Sequence, residues 1–131
     1  MRVLGIDYGA KRVGIALGDT ESKIANPWGT LTNEGALALI AKIHEIVVRD
    51  LVETIIVGIP RPLRDSSHEN EQVREVRKFI AGIEGLGVPV HEQDETLSSK
   101  MAARQAAEMG EREKRDDLAA SNILQTWLDK Q

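Results

Sequence analysis

Apolar and polar positions change their period several times along the chain, and each change marks an element. Val3, Leu4 and Ile6 form a short apolar run that ends on Asp7; beyond Tyr8-Gly9-Ala10 a second run continues through Val13, Ile15, Ala16 and Leu17. Two such runs across a glycine-containing turn predict a β-hairpin over residues 2–8 and 12–18. A third strand is expected over residues 24–31, and Pro27 within it confines it to a sheet edge. Asn33 then stands where a helix cap belongs, before Leu37, Ile40, Ala41, His44, Val47, Val48 and Leu51 at helical spacing. Residues 54–59 (Thr-Ile-Ile-Val-Gly-Ile) lack the alternation of a half-exposed strand. They predict a central strand buried on both faces and ended by Pro60. Residues 61–69 are polar and read as a loop. A second helix carries Val73, Val76, Ile80 and Ile83 and stops near Gly85 and Gly87. Val88-Pro89-Val90-His91 starts another strand, which runs to Asp94-Glu95. Thr96 or Ser98 caps a helix holding Ala102, Gln105, Ala106 and Met109, with Gly110 at its end. Charged residues 111–115 lead to a last helix from about Asp116.

The resulting order, βββαβαβαα, is that of an α/β ribonuclease H-like fold: a five-stranded mixed sheet with helices on both faces. Strands one, four and five are expected to be parallel neighbours joined by crossovers. The 131 residues suffice for one core, so residues 1–131 are expected to form a single domain. In sheets of this kind ligands gather at the carboxyl ends of the parallel strands. Asp7 lies at one such end and Asp94-Glu95 at another.

A third acidic position opens the last helix. From Asp116, helical spacing leads through Ala119, Ala120, Ile123, Leu124 and Trp127, an apolar stripe; from Asp117 it leads through Ala120, Ser121, Leu124, Gln125 and Leu128, a mixed flank. Asp116 is therefore expected on the sheet-facing side and Asp117 on the more exposed one. Either acid would serve the helix dipole. Two strand-end acids across the sheet give Asp116 a second use. Three carboxylates from separate elements repel one another unless a cation sits between them. Oxygen-only ligands suit a hard ion, Mg²⁺ or Mn²⁺. A pair of such ions can activate water and stabilise the leaving oxygen of a phosphodiester. Spacing alone leaves the choice between Asp94 and Glu95 open.

Composition narrows the function. Hydrophobic residues make up 41% and aromatic ones 3%, so the core is aliphatic. No stretch reaches the ~18 apolar residues of a membrane span, and Met1-Arg2 leads into a strand rather than a signal peptide. Cysteine is absent, which excludes disulfides and thiolate metal sites and fits a cytoplasmic setting. A net charge of −4 argues against non-specific polyanion binding. Nucleic acid would have to be held by local cations. The candidates are Lys11 and Arg12 after the first turn, Arg61 and Arg64 in the polar loop, and a rim of Lys100, Arg104, Arg112, Lys114 and Arg115. His44, His68 and His91 share no ligand spacing, and Trp28 and Trp127 stand where packing accounts for them.

Gly5-Ile6-Asp7-Tyr8-Gly9 with Lys11-Arg12-Val13-Gly14-Ile15-Ala16 resembles the opening of the YqgF family. These are Holliday-junction-resolvase-like proteins, also described as candidate nucleases of pre-16S ribosomal RNA. Val57-Gly58-Ile59-Pro60 is similar to that family's central strand end, Asp94-Glu95-Thr96-Leu97-Ser98-Ser99 to its Asp-Glu-Arg-Leu-Thr-Thr motif, and Asp116-x-x-Ala119-Ala120-x-x-Ile123-Leu124-Gln125 to its closing motif. The resemblance implies a divalent-metal-dependent nuclease in the bacterial cytoplasm that acts in 16S rRNA 5′-end maturation. It implies Asp7, Glu95 and Asp116 as catalytic, metal-binding carboxylates, with Asp94 in support. Two positions depart from the pattern: Thr96 replaces an Arg, and Ser66 a Gly. Arg61 and Arg64 are candidates to replace the lost charge. The expected substrate is precursor rRNA or structured, branched DNA, met within a pre-ribosomal particle if the protein acts there. The alternatives are a Holliday-junction nuclease of DNA repair and a non-catalytic RNA- or ribosome-binding factor. A third reading, an actin-like or sugar-kinase-like nucleotide binder, needs a second such domain to clasp nucleotide.

Overall fold

In the computed structural model, which describes residues 1–9, 11–59, 71–94 and 116–131, the alternating runs at the start of the chain form β1 (Arg2–Asp7) and β2 (Arg12–Asp19), paired antiparallel from Arg2↔Asp19 to Asp7↔Gly14. β3 (Ile24–Thr32) pairs antiparallel with β2 and stands at the sheet edge, as Pro27 requires. Ile15 pairs with Gly29 and Ala16 with Pro27, which leaves Trp28 as the extra residue of a bulge. Trp28 is 40% exposed under the Arg49 guanidinium, 5.7 Å from the ring centre, so it is a surface aromatic and not the packed one expected.

β4 (Val52–Ile59) and β5 (Val90–Asp94) continue the sheet in parallel with β1, giving the order β3-β2-β1-β4-β5. The mixed five-stranded sheet and the three parallel neighbours agree with the sequence reading. Ile55 and Val57 join one core layer and Ile56 the other, so β4 is buried on both faces.

Helices α1 (Ala36–Arg49) and α2 (Glu71–Glu84) cover one face. Their Leu39, Ile43, Ile46, Val76, Phe79 and Ile83 pack with Leu4, Ile6, Val13 and Ile15. Helix α3 (Asp116–Leu128) covers the other, with Ala120, Ile123, Leu124 and Leu128 against Val3, Ala16 and Ile56. The helix expected after Ser98, the loop 61–69, and the basic residues within them lie outside the described residues. Among the described residues, no helix is long and apolar enough to cross a membrane.

Two features of α1 differ from expectation. Its buried residues are Leu39, Ile43, Ile46 and Val47, whereas Leu37, Val48 and Leu51 are exposed. Leu39, Ile43, Ile46 and Val47 share one side of the helix, while Leu37 and Val48 fall on the side of Lys42, His44, Glu45 and Arg49 and stay exposed although apolar. A Cβ on Gly82 would overlap the Ile40 side chain, which shows how closely α1 and α2 approach. Asn33 also does not cap α1. The N-cap is Gly35, at φ 116°, without a side-chain cap bond, and the Asn33 amide turns back to the hairpin instead.

Leu51 follows α1 at φ 55°, the left-handed C′ position that favours glycine. Its side chain is 75% exposed and so contributes little packing. Leu51→Gly is expected to raise unfolding stability by roughly 1 kcal/mol through relief of that backbone strain. Urea denaturation measures the gain; a loss of stability would contradict the account.

Candidate active site

Asp7 is the last residue of β1 and is half-buried. Leu4 and Ile6 belong to the α1/α2 layer and Val3 to the α3 layer, so strand alternation directs Asp7 to the α3 side. Its lateral neighbours in register are both glycines, Gly14 on β2 and Gly58 on β4. Gly58 is next to Gln93 of β5 and Gly14 next to Thr30 of β3, which gives a row Thr30–Gly14–Asp7–Gly58–Gln93 across the sheet. A Cβ on Gly58 would overlap Ile123, so this glycine seats α3 close beside the Asp7 strand.

The direction of α3 follows from its contacts. Leu128 and Leu124 approach Gly18, the partner of Val3, and Leu124 and Ala120 approach Gly5. The helix thus runs from the Asp7 end of the sheet back toward the start of β1. Asp116 lies one turn before Ala120, about 6 Å along the axis, while Asp7 lies about 6.6 Å beyond Gly5 along the strand. The N-terminus of α3 and the carboxyl end of β1 therefore meet at one end of the sheet. The free N–H groups and positive dipole end of a helix favour negative charge there.

Asp117 is buried, contrary to the expectation that it lies on the more exposed flank. The buried stripe is Asp117, Ala120, Ile123, Leu124 and Leu128, one residue later than the apolar count suggests. Polar docking to β3 accounts for the rotation. Gln125 Oε1 accepts from the Ala25 N–H at 2.9 Å, its Nε2 donates to the Lys23 carbonyl at 2.7 Å, and Ser121 Oγ donates to the Ala25 carbonyl at 3.3 Å. Trp127 turns to the β5 side, where its ring stacks on His91 with centroids 6.1 Å apart.

Of the expected carboxylates, the structure brings together Asp7, the backbone of Asp94 at the end of β5, and the start of α3 at Asp116. Glu95 and the side chains of Asp94 and Asp116 lie outside the described residues. Among the described residues, no three acidic or histidine side chains form a metal-ligating group. Lys11 and Arg12 are exposed at the hairpin turn. Arg61, Arg64, Lys100, Arg104, Lys114 and Arg115 fall outside the described residues. Tyr8, beside Asp7, packs its ring on Phe79 at 5.0 Å, which joins this end of β1 to α2.

Sequence reasoning missed Gln93. Its side chain is 8% exposed although polar, and it shares the row of Asp7. The available signal was its place two residues after His91, on the strand phase opposite Val90.

A family model described as RuvX, Holliday junction resolvase, matches residues 1–130. The chain belongs to the RuvX family. The kinship expected from the motifs is thus upheld over nearly the whole length. A candidate pre-16S rRNA nuclease of Endomicrobium trichonymphae is 39% identical, covering 99% of this chain and 96% of its own. A like-named protein of Maridesulfovibrio salexigens (strain ATCC 14822 / DSM 2638 / NCIMB 8403 / VKM B-1763) is 35% identical, covering 98% of each. Among solved structures, T. thermophilus RuvC in complex with Holliday junction substrate superposes with a TM-score of 0.58 at 17% identity, covering 99% of this chain and 94% of that one. That likeness concerns the fold, and it agrees with the ribonuclease H-like reading.

Proposed function

We propose that this RuvX-family chain is a divalent-metal-dependent nuclease that hydrolyses phosphodiester bonds of precursor 16S rRNA. One observation supports this above others: Asp7 ends β1 at the same end of the sheet as the end of β5 and the acidic N-terminus of α3. Asp7, Glu95 and Asp116 are the proposed metal ligands. Glu95 is proposed as the ligand and Asp94 as a supporting acid, as the likeness of Asp94-Glu95-Thr96-Leu97 to the family motif implies. Hard oxygen donors without sulfur fit Mg²⁺ or Mn²⁺. Two ions bound with substrate would supply an activated water and stabilise the leaving oxygen.

The chain's own residues do the remaining work. β1 pairing on both sides fixes Asp7, and the N-terminal end of α3 brings a positive partial charge to the same end of the sheet. Lys11, Arg12, Arg61, Arg64, Lys100, Arg104, Lys114 and Arg115 are the proposed phosphate contacts, which position substrate without reading sequence. RNA is preferred over branched DNA because the relatives at 35–39% identity carry the name of pre-16S rRNA nuclease. The net charge of −4 favours substrate presented within a pre-ribosomal particle over free polyanion.

The test is cleavage of end-labelled pre-16S-like RNA, duplex DNA and a four-way DNA junction by the purified chain in Mg²⁺, Mn²⁺ or EDTA. Metal-dependent cutting of the RNA is expected. Preference for the junction would assign the protein to branched DNA. Absence of cutting on every substrate, pre-ribosomal particles included, would make it a binding factor.

A further inference from the structure

The cap position expected for Asn33 hides a different task. Its backbone N–H donates to the Lys11 carbonyl at 2.9 Å. Its side-chain Nδ2 donates to the Gly9 carbonyl at 2.8 Å, while Oδ1 accepts from the Gly35 N–H at 3.1 Å. The carboxamide satisfies both side-chain bonds at once, donating to one partner and accepting from the other, which an ionised carboxylate of the same shape cannot do. The carbonyls of Gly9 and Lys11 flank the β1–β2 turn, so one residue grips the turn on both sides of its tip. The turn is tight at this point: a Cβ on Gly9 would overlap the Arg12 carbonyl oxygen.

Asp7 does not depend on this grip, since its backbone is held in register with Gly14 and Gly58. The pairing of β1 with β2 ends at Asp7↔Gly14, so the exposed Lys11 and Arg12 beyond it are flanked in the sheet by β3 alone, through Arg12↔Thr32 and the Asn33 N–H bond to Lys11. We propose that Asn33 is a positioning residue that fixes the β1–β2 turn so that Lys11 meets the phosphate backbone of the substrate. This rests on the nuclease reading above and adds a residue to its binding machinery. Asn33 touches no reacting atom. Its effect is carried through the turn, so it should appear in substrate binding rather than in the chemical step.

The experiment is a double-mutant cycle between Asn33→Ala and Lys11→Ala. It is read by equilibrium binding of labelled pre-16S-like RNA in EDTA and by kcat and KM in Mg²⁺. Asn33→Ala removes both side-chain bonds without adding charge. It should weaken RNA binding and raise KM about fivefold to tenfold, with kcat within about twofold of wild type. In the Lys11→Ala background the same change should weaken binding less than twofold. Amide hydrogen exchange at Lys11 and Arg12 should quicken in Asn33→Ala while the central β4 amides remain protected. Should Asn33→Ala fail to fold, Asn33→Asp retains the Gly35 bond and sets an oxygen against the Gly9 carbonyl; the cycle is then run with it. Equal losses in both Lys11 backgrounds, or RNA affinity unchanged, would overturn the positioning role. Failure of wild type to bind RNA would instead overturn the nuclease reading on which it rests.

Discussion

Asp7→Asn is expected to lower single-turnover cleavage by at least about a thousandfold, roughly 4 kcal/mol of transition-state stabilisation. The amide keeps the size of the side chain and leaves the pairing of β1 with Gly14 and Gly58 unaltered. It removes the anionic oxygens by which a hard cation is held. The folded protein should not suffer. Relief of repulsion among the acids at this end of the sheet leaves the melting temperature equal to wild type or higher. RNA affinity in EDTA should also hold within a few fold, because phosphate contacts come from the cationic residues. Cleavage rate, melting temperature and RNA binding measured on one preparation separate lost chemistry from lost structure. Wild-type cleavage by Asp7→Asn would remove Asp7 from the site.

Gly5→Val should do the reverse, damaging structure first and activity through it. A Cβ at Gly5 would stand 2.8 Å from Leu124 Cβ and 3.1 Å from the Ala120 carbonyl oxygen. The second contact is backbone of α3 and cannot turn aside as a side-chain tip can. Either α3 lifts from the sheet or β1 shifts, and overpacking of this kind costs about 3 kcal/mol. The corresponding fall in melting temperature is on the order of 10 °C. Lifting α3 also moves its first turn, and with it Asp116, away from Asp7. The variant should therefore cleave at least tenfold more slowly even at a temperature where it is fully folded. Thermal denaturation and cleavage at low temperature report the two losses separately. A variant with wild-type stability would show that the close seat of α3 on Gly5 is not needed.

Much of the architecture could be read from the chain because the strands carry strong local signals. The two alternating runs around Gly9, the unbroken apolar run of residues 54–59 and the edge position forced by Pro27 each determine an element with little help from its neighbours. The phases of the helices were harder. In α1 the buried side follows the helical period, but Leu37 and Val48 share the arc of His44 and Glu45, so an apolar list by itself overstates the core. In α3, Ser121 and Gln125 read as a solvent-facing flank, yet they bind the backbone of β3 and turn Asp117 inward. Pattern arguments treat polar side chains as facing water. These two are satisfied by an edge strand about a hundred residues earlier. Gln93 escaped for a similar reason, since its burial depends on the Gly58 row and on α3, neither of which is local to it. Asn33 was placed by its cap chemistry, and the competing partner was a turn 24 residues away. The candidate site stands out in the sequence because Asp7 and Asp94-Glu95 fall at strand exits and Asp116 at a helix start; of these side chains only that of Asp7 is among the described residues.

The central claim is that one centre joins Asp7, Glu95 and Asp116. The most direct measurement is the single-turnover cleavage rate of Asp7→Asn, Glu95→Gln and Asp116→Asn in Mg²⁺, beside Asp94→Asn and Asp117→Asn, on the same pre-16S-like RNA. The account predicts that each of the first three loses at least about a thousandfold, while Asp94→Asn and Asp117→Asn retain measurable cleavage. Wild-type rates in any of the first three, with metal-dependent cutting intact, would contradict it.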